Sequence, residues 1–238
     1  MNNPETALRE YLNRLIHRFL NTKSLYLELK RIHEWQGPRR LEALQLGAYF
    51  FELATYSFSR TVLVEMAMLL SPTEQRSLID WLTKAKEHVA ALGPTRSSPS
   101  HFLSGREPIK AEEYCALIER HISCLDAQND VIDRIKLRRD KTIVHLDIAL
   151  FNSPKALDEV FPMRDAIDHL MNVVSDILKK HYSCLFEADL RMEYLSTRNV
   201  DLVLQYARAF QRARKDRTLI RKGFKPIDYM RDEYQENE

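Results

Sequence analysis

Glycine is scarce in this chain, with 5 in 238 residues, where average usage would supply roughly three times as many. Hairpin turns and phosphate-cradling loops use glycine at positive φ, so the shortage argues against a dinucleotide-binding α/β fold, a P-loop or a β-barrel. Long apolar runs are missing too. The greasiest stretch, Val62 to Leu70, is interrupted by Glu65 and is far too short to span a bilayer. The start, Met1-Asn2-Asn3-Pro4-Glu5, has neither the basic flank nor the apolar run of a signal peptide. Neither sign of charge dominates: 36 Lys and Arg against 34 Asp and Glu give a net +2, which argues against a bulk DNA-coating role. Cysteines number 3 (Cys115, Cys124, Cys184) without a CxxC pair. They are read as buried, reduced thiols of a cytoplasmic protein.

With 45% hydrophobic residues, the chain can bury a sizeable core and is no disordered protein. Its apolar residues recur at helical spacing. Leu8, Leu12, Leu15, Phe19, Tyr26 and Leu29 predict a long first helix. Leu41, Leu44, Ala48, Phe51, Thr55, Phe58, Val62, Met66 and Leu69 predict a regular second one. Ser71-Pro72-Thr73-Glu74 reads as a helix start, with a serine cap, proline in the first turn and glutamate reaching back. Leu78, Leu82, Ala85 and Val89 carry that third helix to Gly93. The Ser/Pro-rich stretch 93–105 reads as a surface loop. A fourth helix carries Cys115, Ile118, Ile122, Leu125, Ile132 and Ile135, a fifth Met163, Ile167, Leu170, Val174 and Ile177, and a weaker sixth spans 200–214. No stretch alternates with a period of two. The expected fold class is all-α, an antiparallel bundle of five or six helices. It forms a single domain over 1–222, followed by an acidic tail over 223–238 that is either disordered or folded over a basic patch.

Chemistry concentrates at the end of the fourth helix, where five basic residues fall within Arg134 to Lys141. Following the inner stripe from Ile132 through Ile135, the next inward position is Arg139. A core-facing guanidinium needs an anionic partner or a solvated interface. His145 follows six residues later, about 120° away on an ideal helix. The two converge only if the helix kinks or two copies of the site meet. The plainer reading is a solvated basic helix end favoured by the macrodipole.

The string Arg139-Asp140-Lys141, three further residues, then His145-Leu146-Asp147 resembles the signature of the HEPN superfamily (higher eukaryotes and prokaryotes nucleotide-binding). The run from Phe50-Phe51-Glu52-Leu53 through Glu65 to Pro72, with Ser77-Leu78 and Trp81-Leu82, is similar to its abortive-infection subgroup; the likeness covers roughly residues 40–185. It implies a metal-independent endoribonuclease, a homodimer whose two arginine–histidine pairs face one cleft, acting in a defence or toxin–antitoxin setting with an antitoxin or defence-system partner and no cofactor. Carried over, Arg139 stabilises charge on the scissile phosphate and His145 moves a proton. Asp140 and Asp147 orient these groups, and Arg138 and Lys141 hold flanking phosphates. HEPN toxins that are paired with a nucleotidyltransferase carry a tyrosine where this chain has Asp147, which argues against that form of control. The alternative is a non-catalytic helical module binding a nucleotide, RNA or partner protein, and a third is a purely structural bundle.

Three further features compete for attention. Arg164 and His169, five apart at a helix start, also fall within the four to six residues the signature allows, with Asp165 reading as a first-turn acid facing the dipole; Arg96 and His101, likewise five apart, match it in the Ser/Pro loop. The run Arg208, Arg212, Arg214, Lys215, Arg217, Arg221, Lys222 and Lys225, opposed by Asp216, is a basic patch with Tyr206 and Phe210 near its start, either an RNA backbone track or a solvated face. The eight histidines show no paired-ligand spacing, so no metal site is expected.

Overall fold

The computed structural model describes residues 4–34, 37–92, 109–140, 164–186, 188–192 and 199–222. Every regular element among them is a helix, and none is long and apolar enough to cross a membrane. The helices are α1 (Pro4–His33), α2 (Pro38–Gln45), α3 (Ala48–Leu70), α4 (Leu78–Glu87), the short α5 (Val89–Leu92), α6 (Ala111–Asp126), α7 (Asn129–Arg138), α8 (Arg164–Phe186), α9 (Asn199–Lys215) and α10 (Arg217–Arg221). Contacts divide the chain into two compact units, Met1–Tyr26 with Ser57–Leu195, and Leu27–Tyr56 with Ser196–Glu238.

In the first unit, α1 opens with Pro4 and Glu5, a first-turn residue without a needed N–H and an acid facing the positive helix end. Its stripe Leu8, Leu12, Leu15 and Phe19 is buried against Met66, Leu69 and Leu70 of α3 and Trp81 and Leu82 of α4 within one core. The Trp81 indole N–H donates to the Leu8 carbonyl at 3.0 Å, so the largest core side chain leaves no orphan donor. Helix α6 packs on α4, α5 and α8, and α8 also packs on α7.

In the second unit, α9 packs on α2. Gly37 takes φ 96°, which a side chain would oppose, and hands the chain to Pro38 at the start of α2. The carboxylate of Glu28 accepts from the Asn199 and Val200 amides at 3.3 and 3.2 Å and so caps α9 from outside that helix. Buried Arg40 pairs with Asp201 at 2.7 Å and also donates to the Arg31 carbonyl.

Several expected boundaries move. The stripe from Leu41 to Leu69 is two helices, broken at Leu46–Gly47, where the Gly47 amide turns back to the Leu44 carbonyl at 3.2 Å. The third helix starts at Leu78 rather than after Ser71: Ser77 is the cap, its hydroxyl accepting from the Asp80 amide at 3.1 Å. It also ends early, at Glu87, before the separate turn of α5. The fourth expected helix divides at Ala127–Gln128 into α6 and α7. None of the three cysteines is fully buried, and Cys124 is exposed; all are free thiols.

Candidate functional site

Helix α7 presents Ile132 and Ile135 to the core, both almost fully buried. Its last turn carries Lys136 and Arg138, cations placed where the helix end is negative. Lys136 reaches Asp133 at 3.3 Å, a pair exposed enough to add little. Beyond Arg138, Arg139 and Asp140 wind in a wider π-type turn.

Arg139 lies where the inner stripe predicts it, with a side chain only 19% exposed, and its Nε donates to Oδ1 of half-exposed Asp140 at 2.7 Å. The anionic partner that a half-buried guanidinium needs is therefore its own neighbour. This bond uses one of five guanidinium donors. Among the described residues, the terminal Nη groups make no hydrogen bond, which leaves the fork geometry that grips phosphate or carboxylate two-pronged. Arg138 is half-buried beside it. Lys141, His145 and Asp147 lie outside the described residues, as do Arg96 and His101.

The competing pair is placed differently. Arg164 is the first residue of α8, Asp165 sits in its first turn, and both are exposed, as is His169. Tyr26 donates to the Arg164 carbonyl at 3.4 Å. Burial, then hydrogen bonding to Asp168, pushes that phenol's pKa up, so Tyr26 stays a neutral donor under this helix start. In the basic patch, Arg212, Lys215, Arg217, Arg221 and Lys222 are all exposed and Arg208 is half-buried.

A second polar cluster, in the first unit's core, has no counterpart in the sequence reading. His181 is completely buried on α8. Its Nδ1 is 3.0 Å from the Tyr114 hydroxyl and its Nε2 is 2.9 Å from Nδ1 of His121. The Trp81 ring packs edge-on at 4.9 Å. One proton arrangement satisfies every group: Tyr114 donates to His181 Nδ1, and His181 Nε2–H donates to His121 Nδ1. The reverse polarity would strand the Tyr114 hydroxyl proton, which has no other hydrogen bond among the described residues. Burial, with lesser contributions from His121 and Lys180, pushes the His181 pKa down to about 3, and His121 is lowered for the same leading reason. Burial also raises the Tyr114 phenol, so all three groups are neutral at pH 7. The available signal was positional: His181 continues the Val174–Ile177–Leu185 stripe and His121 follows Leu117 and Ile118 on α6.

No protein-family model, curated protein or solved structure matches the chain. The class established is thus an all-helical protein, over its described residues, with a half-buried arginine–aspartate pair at one helix end.

Proposed function

We propose that the chain is a HEPN-like, metal-independent endoribonuclease, built on an antiparallel helical bundle and acting as a cytoplasmic homodimer in a defence or toxin–antitoxin system. The observation that carries this reading is Arg139: a guanidinium at the end of a core stripe, held through Nε by Asp140 at 2.7 Å, with its Nη fork making no hydrogen bond among the described residues.

In this reaction the substrate's 2′-oxygen attacks the adjacent phosphorus and loses its proton to a base. The bond from phosphorus to the 5′-oxygen breaks, and that oxygen takes a proton. His145 moves these protons, since an ordinary imidazole titrates near working pH. Arg139 carries the charge that builds on the phosphoryl oxygens, Asp140 fixes its orientation, Arg138 and Lys141 hold neighbouring phosphates, and Asp147 orients His145. The products are a 2′,3′-cyclic phosphate and a 5′-hydroxyl.

The test is cleavage of a mixed RNA pool by the purified chain in EDTA, with end-group analysis. Cleavage that persists in chelator, yields cyclic ends and disappears in Arg139→Ala and His145→Ala, with helicity intact, is expected. Full activity in both variants would remove the proposal. The exposed cations of α9 and α10 favour a second reading, a non-catalytic module for RNA, nucleotide or a partner protein: RNA is then bound with affinity that falls steeply with salt, and none is cut.

A further inference from the structure

Helix α9 is covered over little of its surface. Val200 and Leu204 are buried, while Leu202, Val203, Tyr206 and Phe210, with Ile220 of α10, are 43% to 73% exposed. Val203, Tyr206 and Phe210 form one row along the helix, and Arg214 follows four residues after Phe210. A second row, Arg208, Arg212 and Lys215, runs along another side, with Arg212 about 120° round from Tyr206. The arc between the rows is filled by Gln205 and Ala209, both exposed and uncharged. Helix α10 packs on α9 and adds exposed Arg217 and Arg221, and exposed Lys222 follows. Anions are short here: over 199–222 the only acids are Asp201, already held by Arg31 and Arg40, and Asp216.

Such a surface suits a partner with two features, anions for its cations and apolar side chains for the row beside them. An RNA backbone supplies only the first. Residues 223–238 supply both. Ile227, Met230 and Tyr234 stand at i, i+3 and i+7, the spacing of Val203, Tyr206 and Phe210. Asp228, Asp232 and Glu236 stand at i, i+4 and i+8, close to the i, i+4 and i+7 of Arg208, Arg212 and Lys215. With Glu233 and Glu238 these acids outnumber Lys225 and Arg231. Place and reach agree. The described residues end at Lys222, on the surface in question. From there residues 223–238 reach as far as ~50 Å, against a length of ~25 Å for α9. Tethered so close, the segment meets α9 at an effective concentration on the order of mM, which an outside anion has to overcome.

We propose that residues 223–238 dock on α9 and α10 of their own chain, with Ile227, Met230 and Tyr234 on the apolar row and the carboxylates on Arg212, Lys215 and the α10 cations. All of these residues belong to the second unit. The proposal rests on neither reading of function given above. It does bear on the second, because RNA then reaches these cations only by displacing the segment.

Carbodiimide cross-linking of the full chain, which joins a lysine amine to a carboxylate in contact with it, tests the docking when followed by peptide mapping. A link from Lys215 to Asp228, Asp232 or Glu236 is expected within a single 28.0 kDa chain; Lys222 lies too near the segment in sequence to be diagnostic. Ile227→Ser/Met230→Ser/Tyr234→Ser keeps every charge and should lower the yield of that link at least about tenfold. The same variant should speed tryptic cleavage after Arg212 and Lys215, with helicity unchanged. Absence of the Lys215 link overturns the proposal. So does a link whose yield ignores the triple substitution, the mark of carboxylates meeting cations at random, and so does a link formed only between two chains.

Discussion

Acid should unfold this protein through His181. In the folded chain its imidazole is buried against Trp81, Tyr114 and His121, with Lys180 and Cys184 close by on its own helix, and its pKa falls from 6.5 to about 3. The unfolded chain takes up this proton near pH 6.5, but the folded chain does not, so stability is full above pH 6.5 and is lost as pH drops towards 3. Linkage gives a loss of about 2 kcal/mol between pH 8 and pH 5, rising to about 4–5 kcal/mol near pH 3. His121 adds in the same direction, because its pKa is lowered too. Protonating His121 at Nδ1 would also force His181 into the other tautomer and strand the Tyr114 hydroxyl proton, so the histidines resist acid together. Urea melts at pH 8 and pH 5 read the effect. His181→Gln should be less stable than the parent at pH 8 yet lose about 2 kcal/mol less on acidification. Equal losses in the two proteins would refute the reasoning. Should the variant not fold, the His181 imidazole resonance of the parent serves instead: a midpoint near 6.5 is the refuting result.

Two smaller predictions concern helix ends. Glu28→Gln keeps the shape of the side chain that caps α9 but removes its charge, and should cost about 1 kcal/mol in a urea melt and speed hydrogen exchange at the Asn199 and Val200 amides; unchanged exchange at those amides would deny the cap. Ser77→Ala should cost about 1 kcal/mol, while Ser71→Ala, six residues earlier, should cost less, because only Ser77 accepts from a helix amide. A reversed order of cost would restore the earlier start.

The helices were legible where the apolar stripe is also the core. Leu8 to Phe19 and Val62 to Leu69 are buried as their spacing predicts. The spacing fails between Leu41 and Phe58, where Leu41 and Ala48 are exposed and the buried residues of α2 are Ala43 and Arg40. Periodicity cannot tell a core face from an exposed apolar face, and a helix with both reads as one regular stripe. It also runs through a break whenever the interval survives it, as it does from Leu44 to Ala48 across Gly47. The two Ser-x-x-acid motifs, 71–74 and 77–80, are equivalent as caps. What separates them is the fully buried Leu78, Trp81, Leu82 and Ala85 that follow the second, so burial decides between motifs that local chemistry leaves equal.

Arg139 was legible for a different reason. A cation at the position after Ile132 and Ile135 contradicts the stripe it continues, and such a contradiction demands a compensating anion. Asp140 supplies it from the adjacent residue, whose own position on a regular helix is about 100° round; the π-type turn lies where these two side chains meet. His181 is the reverse case. An imidazole passes as apolar in a stripe, so nothing in the chain order announces that its two nitrogens bind Tyr114, 67 residues away, and His121, 60 away. Both sites follow one rule, that a polar group on a core face must find its partner there. The rule can be read in advance when the partner is adjacent in sequence, and only from the fold when it comes from another helix.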